Sequence, residues 1–77
     1  MTLSDQDTAA NIQQGYQSAF ETLFRTWYPA LVGFARKFIH DPAEAEELVQ
    51  EMFCQLWDKR ASFQPTTSLK AYLYAAV

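Results

Sequence analysis

The run Phe20-Glu21-Thr22-Leu23-Phe24-Arg25-Thr26-Trp27-Tyr28-Pro29-Ala30-Leu31-Val32-Gly33-Phe34-Ala35-Arg36-Lys37-Phe38 decides the fold. Phe20, Leu23, Phe24, Trp27, Leu31, Phe34, Ala35 and Phe38 recur at three- and four-residue steps. Turned at 100° per residue, they share one stripe roughly 100° wide, which predicts a long helix with a single buried face. Pro29 lies within it and cannot donate to the carbonyl of Arg25. A kink or brief break is expected there, without reversal of the apolar face.

Helical signals continue on both sides. Upstream, Leu3 to Gln14 reads as a short helix capped by Ser4, with Ala9, Ala10 and Ile12 as its apolar face and Gly15 as its stop. Downstream, Asp41 is a fitting N-cap, Pro42 a fitting first helical residue, and Glu44 completes a capping box. The helix from Pro42 to about Lys59 should bury Ala45, Leu48, Val49, Met52, Phe53 and Leu56. Its other side carries Glu44, Glu47, Glu51 and Asp58. Ala61 to Ser68 is a turn-rich loop, after which Thr67 or Ser68 can cap a last helix with Leu69, Tyr72, Leu73 and Ala76 on its face. That helix reaches Val77 with no Gly, Pro or basic last turn, the pattern of a chain cut in mid-helix. Nothing reads as a strand. The expected fold is all-α, a compact bundle of three main helices plus a short N-terminal one. Its expected core is Phe20, Leu23, Phe24, Trp27, Leu31, Leu48, Val49, Met52, Phe53 and Leu73.

Composition narrows the function. Seventy-seven residues make at most one small domain. A hydrophobic fraction of 49% with two Gly and three Pro excludes a low-complexity chain, and two Trp, four Tyr and six Phe supply bulk for a core. No run is long and apolar enough to span a bilayer, so no membrane insertion is expected, and Met1 to Gln14 does not resemble a signal peptide. Cys54 is the single cysteine. It cannot form an internal disulfide, which fits a reducing cytoplasm. The net charge of −3 is the wrong sign for a free-standing nucleic-acid binder.

Catalytic chemistry finds no support, because there is no phosphate loop, no nucleophile elbow and no repeated Cys/His spacing. His40, Asp41 and Glu44 suit the ends of two helices better than a metal site. Cys54 has no second His to activate it as a nucleophile. No catalytic residue, metal or cofactor is expected.

Two features remain. The carboxylates at Asp41, Glu44, Glu46, Glu47, Glu51 and Asp58 meet only one base, Lys59, along the same stretch. The helix dipole accounts for those near the N-terminus, but Glu51 and Asp58 lie beyond it. They form either a solvated face or a surface for a basic partner. The loop Ser62-Phe63-Gln64-Pro65-Thr66-Thr67-Ser68, with Lys70, Tyr72 and Tyr74, combines hydroxyls, an amide and aromatics. It is either an ordinary loop or one able to bond and stack on unpaired bases.

The order of residues resembles a known family. Asp41-Pro42-Ala43-Glu44-Ala45-Glu46-Glu47-Leu48-Val49-Gln50-Glu51-Met52-Phe53, then Leu56-Trp57 and Arg60, is similar to bacterial RNA polymerase sigma factors of the extracytoplasmic-function class. Ala19-Phe20-Glu21, Leu23-Phe24, Trp27-Tyr28-Pro29 and Leu31 resemble the family's preceding helix. Phe63 and Leu69-Lys70-Ala71-Tyr72-Leu73-Tyr74 resemble the start of its promoter-melting helix. The likeness runs from about Tyr16 to Val77.

It implies region 2 of such a factor, which docks on the clamp helices of the polymerase β′ subunit and opens the minus-ten element of promoter DNA within the holoenzyme. An anti-sigma protein is the implied regulator. The resemblance places clamp contacts at Glu47, Gln50 and Glu51, on a face that extends to Glu46, Cys54 and Trp57. DNA contacts are expected at Phe63, Gln64, Thr66, Thr67, Ser68, Lys70, Tyr72 and Tyr74, from the chemistry of that loop together with the resemblance of Phe63 and the last helix. Gln64-Pro65-Thr66-Thr67 itself departs from the family pattern. Glu47 stands where the family more often has Asp. The Arg-Asn that continues the family's melting helix and the helix-turn-helix domain that follows it do not occur within residues 1–77. A generic helical interaction module with an acidic binding helix and no DNA role is the competing reading.

Overall fold

The computed structural model describes residues 4–63 and 68–77. Among the described residues four helices follow in order: α1 (Asp5–Gln13), α2 (Gln17–Ala35), α3 (Pro42–Asp58) and α4 (Leu69–Ala76), with a 3₁₀ turn at Arg60–Ser62. The all-α bundle expected from periodicity is the observed one. Among the described residues no helix is long and apolar enough to cross a membrane.

Helix ends follow local chemistry. The Ser4 hydroxyl accepts from the Asp7 amide at 3.1 Å and opens α1. At its other end the Gly15 amide donates to Ile12 and the Tyr16 amide to Asn11, the paired bonds of a Schellman turn. This turn requires a left-handed residue, and Gly15 sits at φ 85°. A Cβ there would meet only the Arg60 Nε at 3.6 Å, an ordinary contact. Gly15→Ala should therefore cost about 1 kcal/mol through backbone strain alone, read as a modest drop in thermal midpoint. Asp41 Oδ1 accepts from the Ala43 amide at 2.9 Å and caps α3, with Pro42 in the first turn. Among the described residues the return bond of a capping box from Glu44 is not formed.

α2 and α3 form an antiparallel hairpin. Tyr28 lies opposite Gln50, Phe24 opposite Phe53, and Phe20 opposite Trp57. α2 runs without a break through Pro29, which excludes the brief interruption among the two expected outcomes. Pro29 is exposed, so its ring stands outside the packed face.

Three positions differ from expectation: Leu48 of the expected core, Phe38 of the α2 stripe, and Phe63 of the loop. Leu48 is 37% exposed, because α3 turns Ala45, Val49, Met52, Phe53 and Leu56 inward. The buried direction thus centres nearer Phe53, and Leu48 falls on the opposite flank. Phe38 is 73% exposed, since α2 ends at Ala35 and the stripe loses its register there. Ile39 packs against the core beyond that end. Phe63, expected to face nucleic acid, is instead 3% exposed. Leu23, Leu31, Val49, Met52, Phe53 and Leu73 are buried as expected, and Phe20, Phe24 and Trp27 pack partly buried around them.

Candidate functional site

The outward side of α3 carries the expected partner face. Glu46, Glu47, Gln50, Glu51 and Cys54 are all exposed, and Trp57 is half-buried at the edge. The buried residues of α3 centre almost diametrically opposite Glu47, Cys54 and Asp58, so the carboxylates lie where core packing makes no use of them. Among the described residues Glu46, Glu47, Glu51 and Asp58 make no ion pair or side-chain hydrogen bond.

An apolar groove of about 390 Å³ runs beside this acidic row, between α2 and α3. Phe20 and Phe24 supply one wall, and Phe53, Cys54 and Trp57 the other. Ring contacts order its walls: the Phe20 and Trp57 centroids lie 4.9 Å apart with the planes tilted, and Phe24 stacks on Tyr28 at 4.8 Å. The Arg60 guanidinium sits 4.3 Å from the Trp57 ring and donates to the Trp57 carbonyl at 2.9 Å. Trp57 is therefore held between Phe20 and Arg60, preset rather than loose.

Gln50, expected among the clamp contacts, is also used within the fold. Its amide donates to the Tyr28 hydroxyl at 3.1 Å and ties α3 to α2 at the groove's rim. Sequence reasoning missed the α2 half of this face. Phe20 and Phe24 read only as core, and their spacing of one helical turn gives no hint of which rings they meet.

The expected DNA-contacting residues are not all gathered. The Phe63 ring lies in the core, edge-on to Tyr72 at 5.1 Å, and cannot stack on a base. The reason is local: Phe63 is an apolar residue beside the 3₁₀ turn, and the bundle has room for it. Gln64, Thr66 and Thr67 lie outside the described residues. The Ser68 hydroxyl accepts from the Ala71 amide at 3.1 Å and caps α4, and Lys70 is exposed. Tyr72 and Tyr74 diverge. Tyr72 borders a groove of about 230 Å³ with Leu56 and Phe63, whereas Tyr74 meets Phe34 edge-on at 4.9 Å.

These features define an all-α bundle in which, among the described residues, the exposed carboxylates of α3 lie beside an aromatic groove. Comparison supplies the family: the chain belongs to the Sigma-70 region 2 family, whose sequence model matches residues 23–77. It is also 27% identical over 70 residues to the RNA polymerase sigma-H factor of Pseudomonas aeruginosa. That match covers 91% of this chain and 36% of the relative, so the chain spans little more than a third of the relative's length. No solved structure matches the chain significantly.

Proposed function

We propose that this chain is the core-binding and promoter-opening domain of an alternative sigma factor of the extracytoplasmic-function class. The observation that carries the reading is the α3 face. Glu47 and Glu51 stand exposed and unpaired among the described residues, beside a groove walled by Phe20, Phe24 and Trp57. A basic helix of the polymerase β′ clamp can place guanidinium groups on the two carboxylates in charge-assisted bonds. Apolar residues of the same helix can fill the groove against Trp57, the type of anchor that dominates interfaces. Glu46 and Cys54 border this contact, and Gln50, steadied by Tyr28, adds an orienting amide.

Promoter contact in this reading belongs to the start of α4. Ser68, Lys70 and Tyr72 meet the unpaired minus-ten strand once the polymerase holds the DNA, and Gln64, Thr66 and Thr67 join this reading on sequence grounds alone. Reading the upstream promoter element is work for a separate helix-turn-helix domain, and an anti-sigma protein is the fitting regulator.

The test is a titration of this chain against the isolated β′ clamp-helix hairpin. Saturable binding that weakens with added salt is expected, because exposed charge pairs are screened. Absence of binding overturns the reading. The isolated chain should also bind duplex DNA poorly, given its net charge of −3, and prefer single strands in a fluorescence titration. Tight, sequence-specific duplex binding by residues 1–77 contradicts it.

A further inference from the structure

Helix α1 holds two points that lie far away in sequence. The Gln13 side-chain amide donates to the Phe63 carbonyl at 2.6 Å, across a separation of 50 residues. The Leu69 backbone amide donates to Asp5 Oδ2 at 2.9 Å, across 64 residues. These acceptor and donor groups flank the segment 64–67 on either side. Both tethers come from one helix, and that helix precedes the family match at residues 23–77.

We propose that α1 is a brace, with Asp5 and Gln13 as positioning residues for the nucleic-acid surface at the start of α4. The proposal rests on the reading of that surface given above. Asp5 and Gln13 are eight positions apart, about 12 Å along a helix axis, so α1 acts as a ruler between the two flanks. α4 occupies Leu69–Ala76 and begins directly after Ser68. Its first-turn amides need partners from outside the helix. Ser68 supplies one for Ala71. Asp5 supplies another for Leu69, and its carboxylate also suits the positive end of the helix dipole. The entry point and direction of α4, and so the placement of Lys70 and Tyr72, therefore depend on a residue near the other end of the chain.

The experiment compares wild type with Asp5→Ala, Asp5→Asn and the pair Asp5→Ala with Gln13→Ala. Asp5→Ala removes the acceptor, whereas Asp5→Asn keeps an acceptor oxygen. Both remove the same charge, so their difference isolates the hydrogen bond from any change in repulsion of DNA. Amide exchange followed by NMR should show the Leu69 amide of Asp5→Ala exchanging roughly five- to tenfold faster, with the α3 amides unchanged. Asp5→Asn should return Leu69 to near the wild-type rate. Affinity for a fluorescein-labelled single-stranded oligonucleotide at low salt should fall severalfold in Asp5→Ala relative to Asp5→Asn, and further in the double variant. Binding to the β′ clamp-helix hairpin should stay constant throughout.

Equal Leu69 exchange in all variants overturns the brace. Altered exchange with equal single-strand affinity overturns the positioning role. Absence of single-strand binding by wild type overturns the nucleic-acid assignment of this surface and the positioning role with it, while the exchange data still decide whether α1 braces α4.

Discussion

Glu47→Lys combined with Glu51→Lys is expected to weaken binding to the β′ clamp-helix hairpin by ~3 kcal/mol or more, a loss exceeding about a hundredfold. Both side chains are exposed, and among the described residues neither has an intramolecular partner that the change would break. Glu and Lys have similar helix propensities, so helicity should be preserved. The two positions are four apart, and like charges already face each other there, so the reversal replaces one mild repulsion by another. What changes is the sign presented to a basic partner: two attractive pairs become two repulsive ones beside a desolvated groove. A solvated acidic face with no partner predicts instead that the variant behaves as wild type. The measurement is a titration of both proteins, with circular dichroism confirming equal helix content. Equal affinity would sink the assignment of this face. A control at Trp57→Ala should also weaken binding, through loss of the apolar wall between Phe20 and Arg60.

Legibility of the fold tracked the range of the interactions involved. Caps and stops at Ser4, Gly15 and Asp41, and at Ser68 as one of two candidates with Thr67, are readable because each acts on amides or carbonyls within a few residues. The stripe on α2 was readable because helical periodicity alone orders its apolar residues. The exact rotation of α3 was not, since Leu48 and Phe53 both border the same apolar stripe. Only the rings of Phe20 and Phe24 across the hairpin decide that Phe53 turns in and Leu48 turns out. Phe38 was misplaced because the helix end at Ala35 has no Gly or Pro to announce it. Phe63 was misplaced because a single apolar residue in a polar loop carries no period.

The candidate site divides along the same line. The acidic row on α3 comes from one helix and shows in the sequence. The groove beside it needs α2, the Gln50–Tyr28 bond spans 22 residues, and the tethers from α1 span 50 and 64. No local pattern encodes which side chain will lie across from which, so these were invisible before the helices were packed.

The α3 rotation makes its own strong prediction, a large asymmetry between Phe53 and Leu48. Phe53 is 1% exposed and meets Phe24 at 5.0 Å and Phe20 at 6.2 Å, both edge-on. Phe53→Ala removes the ring that both α2 aromatics pack on, and a rigid hairpin can close over the space only in part. The expected cost is about 3–5 kcal/mol, from lost burial plus the cavity left behind. Small domains have total stabilities near the lower end of about 5–15 kcal/mol, so this variant should lose most of its cooperative thermal transition. Leu48→Ala removes a side chain that is 37% exposed and outside the buried set. It should cost under about 1 kcal/mol, with the Leu-to-Ala change slightly favourable in helix propensity. Phe53→Leu should fall between the two, since it keeps most of the apolar volume but loses both edge contacts. Thermal melts followed by circular dichroism separate these outcomes. If Leu48→Ala proved as damaging as Phe53→Ala, α3 would have to be rotated toward its Leu48 flank. Glu47 and Glu51 would then shift relative to the groove of Phe20, Phe24 and Trp57, and the partner face would have to be redrawn with them.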